Sequence, residues 1–523
     1  MQPNVTSVDE LALMPIRSDE RIQALDVIRG FALFGIFLMN IEWFNRPIAG
    51  LESGMPLHVS GIDYFVGWMI FTFVRGKFWT MFSLLFGMGF AVMLARAERA
   101  GRDFVKPYLR RIAALAIIGA AHYILIWTGD ILFSYALAAI GLMILFYAEP
   151  LLLLIAIVLS GVLGAALGID ALAGTAVSLT VVALAALYIR NDTRLPLVAG
   201  EVPIVSVLLA VIALHAIVIG LLFKLPSSVY VGIIAGVAAR LASRFHDPAP
   251  ARLWRAGSFL YLAPFLAMAI SGLVLTVAPQ LHPEPTTEQR VQTQKERAEH
   301  VANIREEAAL MTGPSYPAAV KYRARVFSEE GVDVGFAVIA LGMFLIGAWF
   351  VQSGVMADTA AHLQLFRKMA LYGLPLGLGI SVLSSLIAVT EIPGQNDGAY
   401  RLAEGLQMLS NLPACLGYVG LLVLMLHSSS MWSKISFLAP AGRMALTNYL
   451  CQSIVQSVFF YGYFMGHWGM PRAWQAVFVA VVYTVQIVFS HWWLSKFRYG
   501  PMEWLWRAAT YWQWPAMRKT IAT

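Results

Sequence analysis

The chain has 523 residues, of which 59% are hydrophobic and 13% charged, with a formal charge of +7. A soluble protein of this length could not cover so much apolar surface with so few charges, so composition excludes a soluble globular enzyme and indicates an all-α polytopic membrane protein. The basic excess sits in short loops between apolar runs, which fits a positive-inside bias and argues against nucleic-acid binding.

In chain order, residues 1–23 are polar and of mixed charge and lack the pattern of a cleavable signal, so the first apolar run is expected to remain as a span. Spans are predicted near 24–44, 77–96, 109–128, 131–148, 150–168, 171–190, 203–223, 227–243, 256–278, 333–352, 369–391, 404–426, 443–464 and 474–495, about fourteen in all. Before the second of them, residues 62–73 read as an aromatic-rich interfacial or re-entrant helix, cut off by Arg75, Gly76 and Lys77. The loop with Arg96, Arg99, Arg102, Lys106, Arg110 and Arg111 is the most basic and is expected to face the cytoplasm. Alternation then puts both termini inside, with Arg190 and Arg194, Arg240 to Arg255, Arg367 and Lys368, and the tail from Lys496 to Lys519 on the same side. Residues 279–332 form the one sizeable outer loop, read as a surface helix plus connector that either covers an external opening or is simply solvated. Cys415 and Cys451 fall within spans and read as small apolar fillers.

Ionisable and amide groups inside spans are costly unless paired, so each is a functional candidate. In "LDVIRGFALFGIFLMN", Arg29 and Asn40 stand eleven residues apart. At 100° per residue this places them on one helix face, about 16 Å apart along the axis. The plainer alternative is an Arg29 that snorkels to the headgroups. In "AAHYILIWTGDILFSYAL", His122 precedes and Asp130 follows a helix–helix turn. An acid that fixes a histidine tautomer is the usual partner of a general base, whereas the plainer reading is an N-cap beside a packing histidine. Lys77, and His58 from the preceding loop, belong to the same outer half. The remaining histidines have no companions at ligand spacing, so no metal site is predicted; nor is there a nucleophile elbow, phosphate loop or dinucleotide fingerprint in context. Near the carboxyl end, "GRMALTNYLCQSIVQSVFFYG" carries Arg443 and then Asn448, Gln452 and Gln456 at four-residue spacing, either interhelical glue or the wall of a wet cavity. "FRYGPMEWLWR" beyond it reads as an interfacial anchor.

Together "LDVIRGFALFGIFLMNI", "KFWTMFSLLFGMGF", "AAHYILIWTGDILFSYAL" and "GRMALTNYLCQSIVQSVFFYG … FRYGPMEWLWR" resemble the YeiB family, bacterial inner-membrane proteins with a carboxyl-terminal domain of unknown function. The resemblance covers about residues 21–148 and 256–515 and implies a core of nearer ten spans. It divides the chain into an amino-terminal core (1–148), an inserted membrane segment (149–245) and a carboxyl-terminal membrane domain (246–523).

The family is in turn similar to transmembrane acyltransferases such as heparan-alpha-glucosaminide N-acetyltransferase, which pass an acyl group from cytoplasmic acyl-CoA to an acceptor across the membrane. The O-antigen branch has a histidine at the position matching Asn40, and the heparan branch an asparagine with its histidine just downstream, where His58 is the nearest match here. Two candidate bases result, His122 and His58, with His122 preferred because Asp130 is close. The resemblance implies acyl-CoA as co-substrate, held by Arg29, Arg96, Arg110 and Arg111. Asn40 and Lys77 would be oxyanion donors, and Asn448, Gln452, Gln456 and Arg443 would line the substrate cavity. Its partners would be the bilayer and a small or lipid-linked acceptor, with oligomerisation left open. The alternative is a transporter or flippase for a lipid-linked or isoprenoid molecule, with the same groups as a proton relay.

Overall fold

A computed structural model of the chain describes residues 22–48, 50, 54–197, 200–278, 286–329, 334–391 and 397–519. The first helix, α1 (Gln23–Asn45), is followed by α2 (Gly61–Phe73), α3 (Lys77–Arg99), α4 (Val105–Leu125) and α5 (Leu132–Tyr147). Next come α6 (Pro150–Leu167) and α7 (Asp170–Arg190), a small antiparallel hairpin of β1 (Arg194–Leu197) and β2 (Gly200–Pro203), then α8 (Ile204–Leu222), α9 (Pro226–Arg244) and α10 (Arg252–Val277). Helices α11 (Thr287–Thr312) and α12 (Tyr316–Glu329) precede α13 (Val334–Gln352). A π turn joins α14 (Leu363–Lys368) to α15 (Leu374–Ile387), and α16 (Asp397–Leu426), α17 (Ala439–Arg443), α18 (Ala445–Phe460), α19 (Arg472–Lys496) and α20 (Pro501–Tyr511) complete the chain.

All fourteen expected segments are helical, and among the described residues eleven helical stretches are long and apolar enough to cross a membrane. The other three are α5 and α18, at 16 residues each, and α9, which carries Arg240 and Arg244. The stretch Gly61–Arg99 is interrupted where the sequence breaks it: Gly76, at φ +84°, turns the chain between α2 and α3. The termini expected in the cytoplasm, residues 1–21 and 520–523, lie outside the described residues.

Successive helices reverse direction, so the carboxyl ends of α3, α7, α9 and α19 gather with the amino ends of α4 and α10 and with α20 at one end of the bundle. There Arg190 donates to the carbonyls of Leu145 and Ala148, and Tyr188 to that of Phe245. This basic end holds the arginine clusters that alternation predicted to share a side. At the far end, α12 lies across the exit of α4. Arg323, fully buried, donates to the Ile124 and Leu125 carbonyls at 2.9 and 3.1 Å and to the Tyr463 hydroxyl at 3.2 Å, while Tyr316 adds a bond to Leu125 at 2.9 Å. Helix ends leave carbonyls without partners, and a guanidinium supplies them. The outer excursion is thus two helices, α11 largely solvated and α12 docked; residues 279–285 and 330–333 of it lie outside the described residues.

Close helix crossings rely on glycine. A Cβ on Gly87 of α3 would come within 1.9 Å of the Phe344 carbonyl oxygen of α13, and one on Gly347 within 2.0 Å of the Leu84 oxygen. Lipid chains are as apolar as leucine, so such close packing is a principal source of association between membrane helices. Helices α6 to α9 form two hairpins at the periphery, and most of their apolar side chains are exposed or half-buried. A Gly87→Leu variant is therefore expected to lower the unfolding temperature in detergent, a loss of about 1–3 kcal/mol or more from overpacking. Gly89→Leu, whose side chain would enter open space, serves as the near-neutral control in the same thermal scan.

Candidate functional site

The last turn of α4 holds His122, whose carbonyl accepts the amides of Ile126 and Trp127 at 2.9 and 3.0 Å. The chain turns through Trp127, Gly129 and Asp130 into α5. One oxygen of Asp130 accepts the Phe133 amide at 2.9 Å, capping α5, and the other meets His122 Nδ1 at 2.8 Å. The contact with His122 and the cap on α5 are thus made by different oxygens of one carboxylate. The side chains are 1% and 0% exposed. Gly119, one turn before His122, permits the approach: a Cβ there would lie 2.5 Å from the Phe133 nitrogen and 3.0 Å from the Asp130 carboxylate.

A carboxylate on Nδ1 holds the proton there and leaves Nε2 with its lone pair, the form a general base requires. His122 Nε2 is buried and has no protein partner. Two aromatic rings flank the imidazole, Tyr449 of α18 with ring centres 5.3 Å apart and Trp127 at 6.3 Å. Trp127 Nε1 and the Tyr449 hydroxyl, which lies beside the Ile131 amide, likewise complete no hydrogen bond. Buried polar atoms are normally satisfied, so three open valences around one histidine mark the place where a ligand or water can bind. Trp127 in turn stacks on Phe44 of α1 at 4.3 Å, and Asn40, buried, lies one turn below Phe44 on that face.

The basic end presents the expected arginines. Arg111 lies 3.7 Å over the Trp506 ring, whose indole nitrogen donates to the Arg111 carbonyl at 2.9 Å. Arg29 pairs with Asp26 at 3.2 Å, and the Arg29 and Arg507 guanidiniums are both close enough to act on Arg111 electrostatically. Arg110 faces the Trp512 ring, and Arg96 ends α3. Arg111 and His122 are separated by the same eleven residues as Arg29 and Asn40, so α1 and α4 each carry an arginine and, about 16 Å further on, a neutral polar group on one face.

The other candidates go elsewhere. Lys77, fully buried, donates to Ser381 Oγ at 2.9 Å within a cluster completed by Gln407, and Glu404 acts on it from the neighbouring pair with Arg75. His58 is exposed, on the loop before α2. The carboxyl-terminal stripe joins α18 to α19: Asn448 donates to Ser490 and Gln452 to Gln486, whose amide returns to the Asn448 carbonyl, at 3.1, 2.9 and 3.0 Å. Gln456 donates back to Gln452, and Arg443 precedes α18 on α17. The amides expected to line the substrate cavity are thus engaged in a local network between α18 and α19. At the start of α18, Glu503 of α20 accepts the amides of Leu446 and Thr447 at 2.7 and 3.0 Å and the Thr447 hydroxyl at 2.6 Å. Burial pushes its carboxyl above the usual range, and these hydrogen bonds offset part of that. Among the described residues no group of three or more His, Cys, Asp and Glu could hold a metal ion.

Sequence reasoning did not find Tyr449, Trp127 or Arg507 as site residues. Tyr449 sits beside the amide stripe, one position off its spacing, and only tertiary packing brings it to His122.

Residues 350–513 match a family model described as a protein of unknown function, DUF418. The chain is 28% identical to the uncharacterised protein YxaH of Bacillus subtilis over 97% of its own length and 99% of that protein's. It is 26% identical to the uncharacterised protein YeiB of Escherichia coli, covering 94% of this chain and 96% of that one. An uncharacterised 39.9 kDa protein from Bacillus acidopullulyticus is 39% identical over 133 residues, 25% of this chain and 36% of that protein. The chain is thus similar over nearly its whole length to YxaH and YeiB. No solved structure matches it.

The matched segment takes in α14 to α20 and with them Tyr449, Glu503 and Arg507, whereas His122 and Asp130 lie outside it. Asp130→Asn is expected to keep the cap on α5 but turn an N–H toward Nδ1, moving the His122 proton to Nε2. Nitrogen NMR of labelled histidine reads this as a tautomer exchange with little change in stability. Asp130→Ala removes the cap as well and is expected to cost about 1–2 kcal/mol in the same preparation.

Proposed function

We propose that the chain is a membrane-embedded acyltransferase that moves an acyl group from cytoplasmic acyl-CoA to a hydroxyl or amine acceptor on the opposite side of a bacterial inner membrane. The observation that carries this reading is the buried His122–Asp130 contact, with Nε2 uncommitted and Trp127 and Tyr449 around it. Arg29, Arg111 and Arg507 would bind the CoA phosphates by charge-assisted hydrogen bonds at the basic end, with Arg96 and Arg110 adding positive potential. The extended pantetheine arm is long enough for the roughly 16 Å between the Arg111 and His122 levels.

In the reaction, His122 Nε2 takes the proton of the acceptor hydroxyl or amine as its oxygen or nitrogen attacks the thioester carbonyl. The tetrahedral intermediate collapses with cleavage of the C–S bond, and the imidazolium returns its proton to the departing thiolate, giving free CoA and acylated acceptor. Asp130 stabilises the imidazolium and keeps it oriented. The Tyr449 hydroxyl, the Trp127 N–H and the Asn40 amide are the donors for the oxyanion. Lys77, held in another network, and His58, exposed on a loop, take no part in this scheme.

A transporter for a lipid-linked or isoprenoid molecule is the second reading, and Lys77 favours it: an amine buried in the bundle and bonded to a serine rather than a carboxylate is a natural proton carrier. The two differ in product. Purified protein given acyl-labelled CoA and an extract of envelope acceptors is expected to release CoA and label an acceptor. His122→Ala should lower that rate about 10²–10⁴-fold, the contribution typical of a general base. Full transfer by His122→Ala, or pH-driven uptake of unmodified cargo into vesicles, would overturn the acyltransferase reading.

A further inference from the structure

At the far end of the bundle a second polar constellation lies between α1, α2, the start of α3 and the start of α19. It surrounds a partly open cavity of about 70 Å³, whose lining includes Glu42, Trp43, Ile70, Arg75, Arg472 and Gln475. Glu42 receives two cations, and both go to the same oxygen: Arg46 Nε donates to Oε1 at 2.6 Å and Arg472 Nη2 to that same Oε1. The second carboxylate oxygen, Oε2, is buried with no partner among the described residues, and so is Nη1 of Arg472. An arginine and a carboxylate side by side ordinarily form a fork with two parallel bonds. Here one bond is made, and each partner keeps one unsatisfied atom of opposite character beside a single cavity.

The surroundings hold this arrangement in place. Gly67 lets Arg472 lie across α2, since a Cβ there would sit 2.7 Å from Arg472 Cδ. Asp63 accepts the Ala473 amide at 2.9 Å, and Asn45 clamps the preceding loop by accepting the Gly469 and Met470 amides at 2.8 and 2.9 Å. Gln475 donates to the Met470 carbonyl, and Arg75 is closed off by a two-bond fork to Glu404 at 3.0 Å each. The charges therefore balance: Arg46, Arg75 and Arg472 against Glu42, Asp63 and Glu404.

We infer that this cavity binds a small zwitterion, an ammonium joined to a carboxylate or phosphate, with the ammonium at Glu42 and the anionic oxygen at Arg472. A purely anionic or cationic occupant would add uncompensated charge to a balanced site, whereas a zwitterion answers both unsatisfied atoms and preserves the balance. Trp43 adds an aromatic face for the ammonium. Its ring is 6.2 Å from Trp127, itself 6.3 Å from His122, so two aromatic rings separate the occupant from the dyad. Such chemistry is offered by a free solute and by a phospholipid headgroup.

The test uses the full chain, purified in detergent, titrated calorimetrically with glycine and phosphoethanolamine, and with ethanolamine, inorganic phosphate and glycerol as comparisons. At least one zwitterion is expected to bind about tenfold or more tightly than any comparison compound, and Glu42→Gln and Arg472→Gln are each expected to weaken it by a similar factor. Ile70→Trp narrows the cavity without touching either charge and should abolish binding, which keeps the test decisive if a charge variant fails to fold. Nanodiscs assign the source: phosphoethanolamine binding suppressed by phosphatidylethanolamine but not by phosphatidylglycerol identifies a headgroup, and equal binding in both identifies a solute. Neither zwitterion binding, or binding matched by glycerol or a single ion, or binding unchanged in Ile70→Trp, would overturn the assignment. His122→Ala should bind normally, so failure of this site and failure of acyl transfer are separate results.

Discussion

A polar side chain among lipid tails has no water to fall back on and must find its partner within the protein. This one constraint organises the bundle. Arg323 closes the carbonyls at the end of α4, Glu503 caps α18, Arg75 and Glu404 form a fork, and the amides of α18 are taken up by α19. Against so complete a pairing, the atoms left over are conspicuous. Among the described residues, five of the twelve such buried side-chain atoms lie in two neighbouring places, around His122 and around Glu42 and Arg472, and the others, the Thr72 and Ser206 hydroxyls among them, are scattered.

The helices themselves were legible in the sequence because partitioning into lipid depends on local composition. Every expected span is a helix, and the break at Gly76 falls where Arg75, Gly76 and Lys77 interrupt the apolar run. The His122–Asp130 contact was legible too, since eight residues across a helical turn leave little freedom. What sequence could not supply was pairing over distance. Arg75 and Glu404 are 329 positions apart, and Glu42 and Arg472 are 430 apart. No spacing rule connects them, nor does one bring Tyr449 to the imidazole. Lys77 is the instructive case: its neighbours come from α15 and α16, so it joins Ser381 rather than the histidine.

Arg29 and Asn40 acquire a different meaning beside α4. Taken alone they describe one helix with two polar marks; paired with Arg111 and His122 they describe two helices running in the same direction with the same spacing. The repetition gives the amino-terminal core a charged end and a neutral polar end, which suits chemistry that begins at one surface and finishes nearer the other. The similarity to YxaH and YeiB runs through both the amino-terminal and the carboxyl-terminal helices.

Helix α20 ties the surface to the interior. Its Trp506 holds Arg111, its Glu503 starts α18, and four residues into α18 Tyr449 lies against the imidazole. A load applied to this short amphipathic helix, whether by an anionic molecule arriving at Arg507 or by a change in headgroup packing, would travel along α18 as a displacement of the tyrosine ring. Occupancy at one face of the bundle can in this way reset the surroundings of the histidine near the other, with α18 acting as the connecting rod.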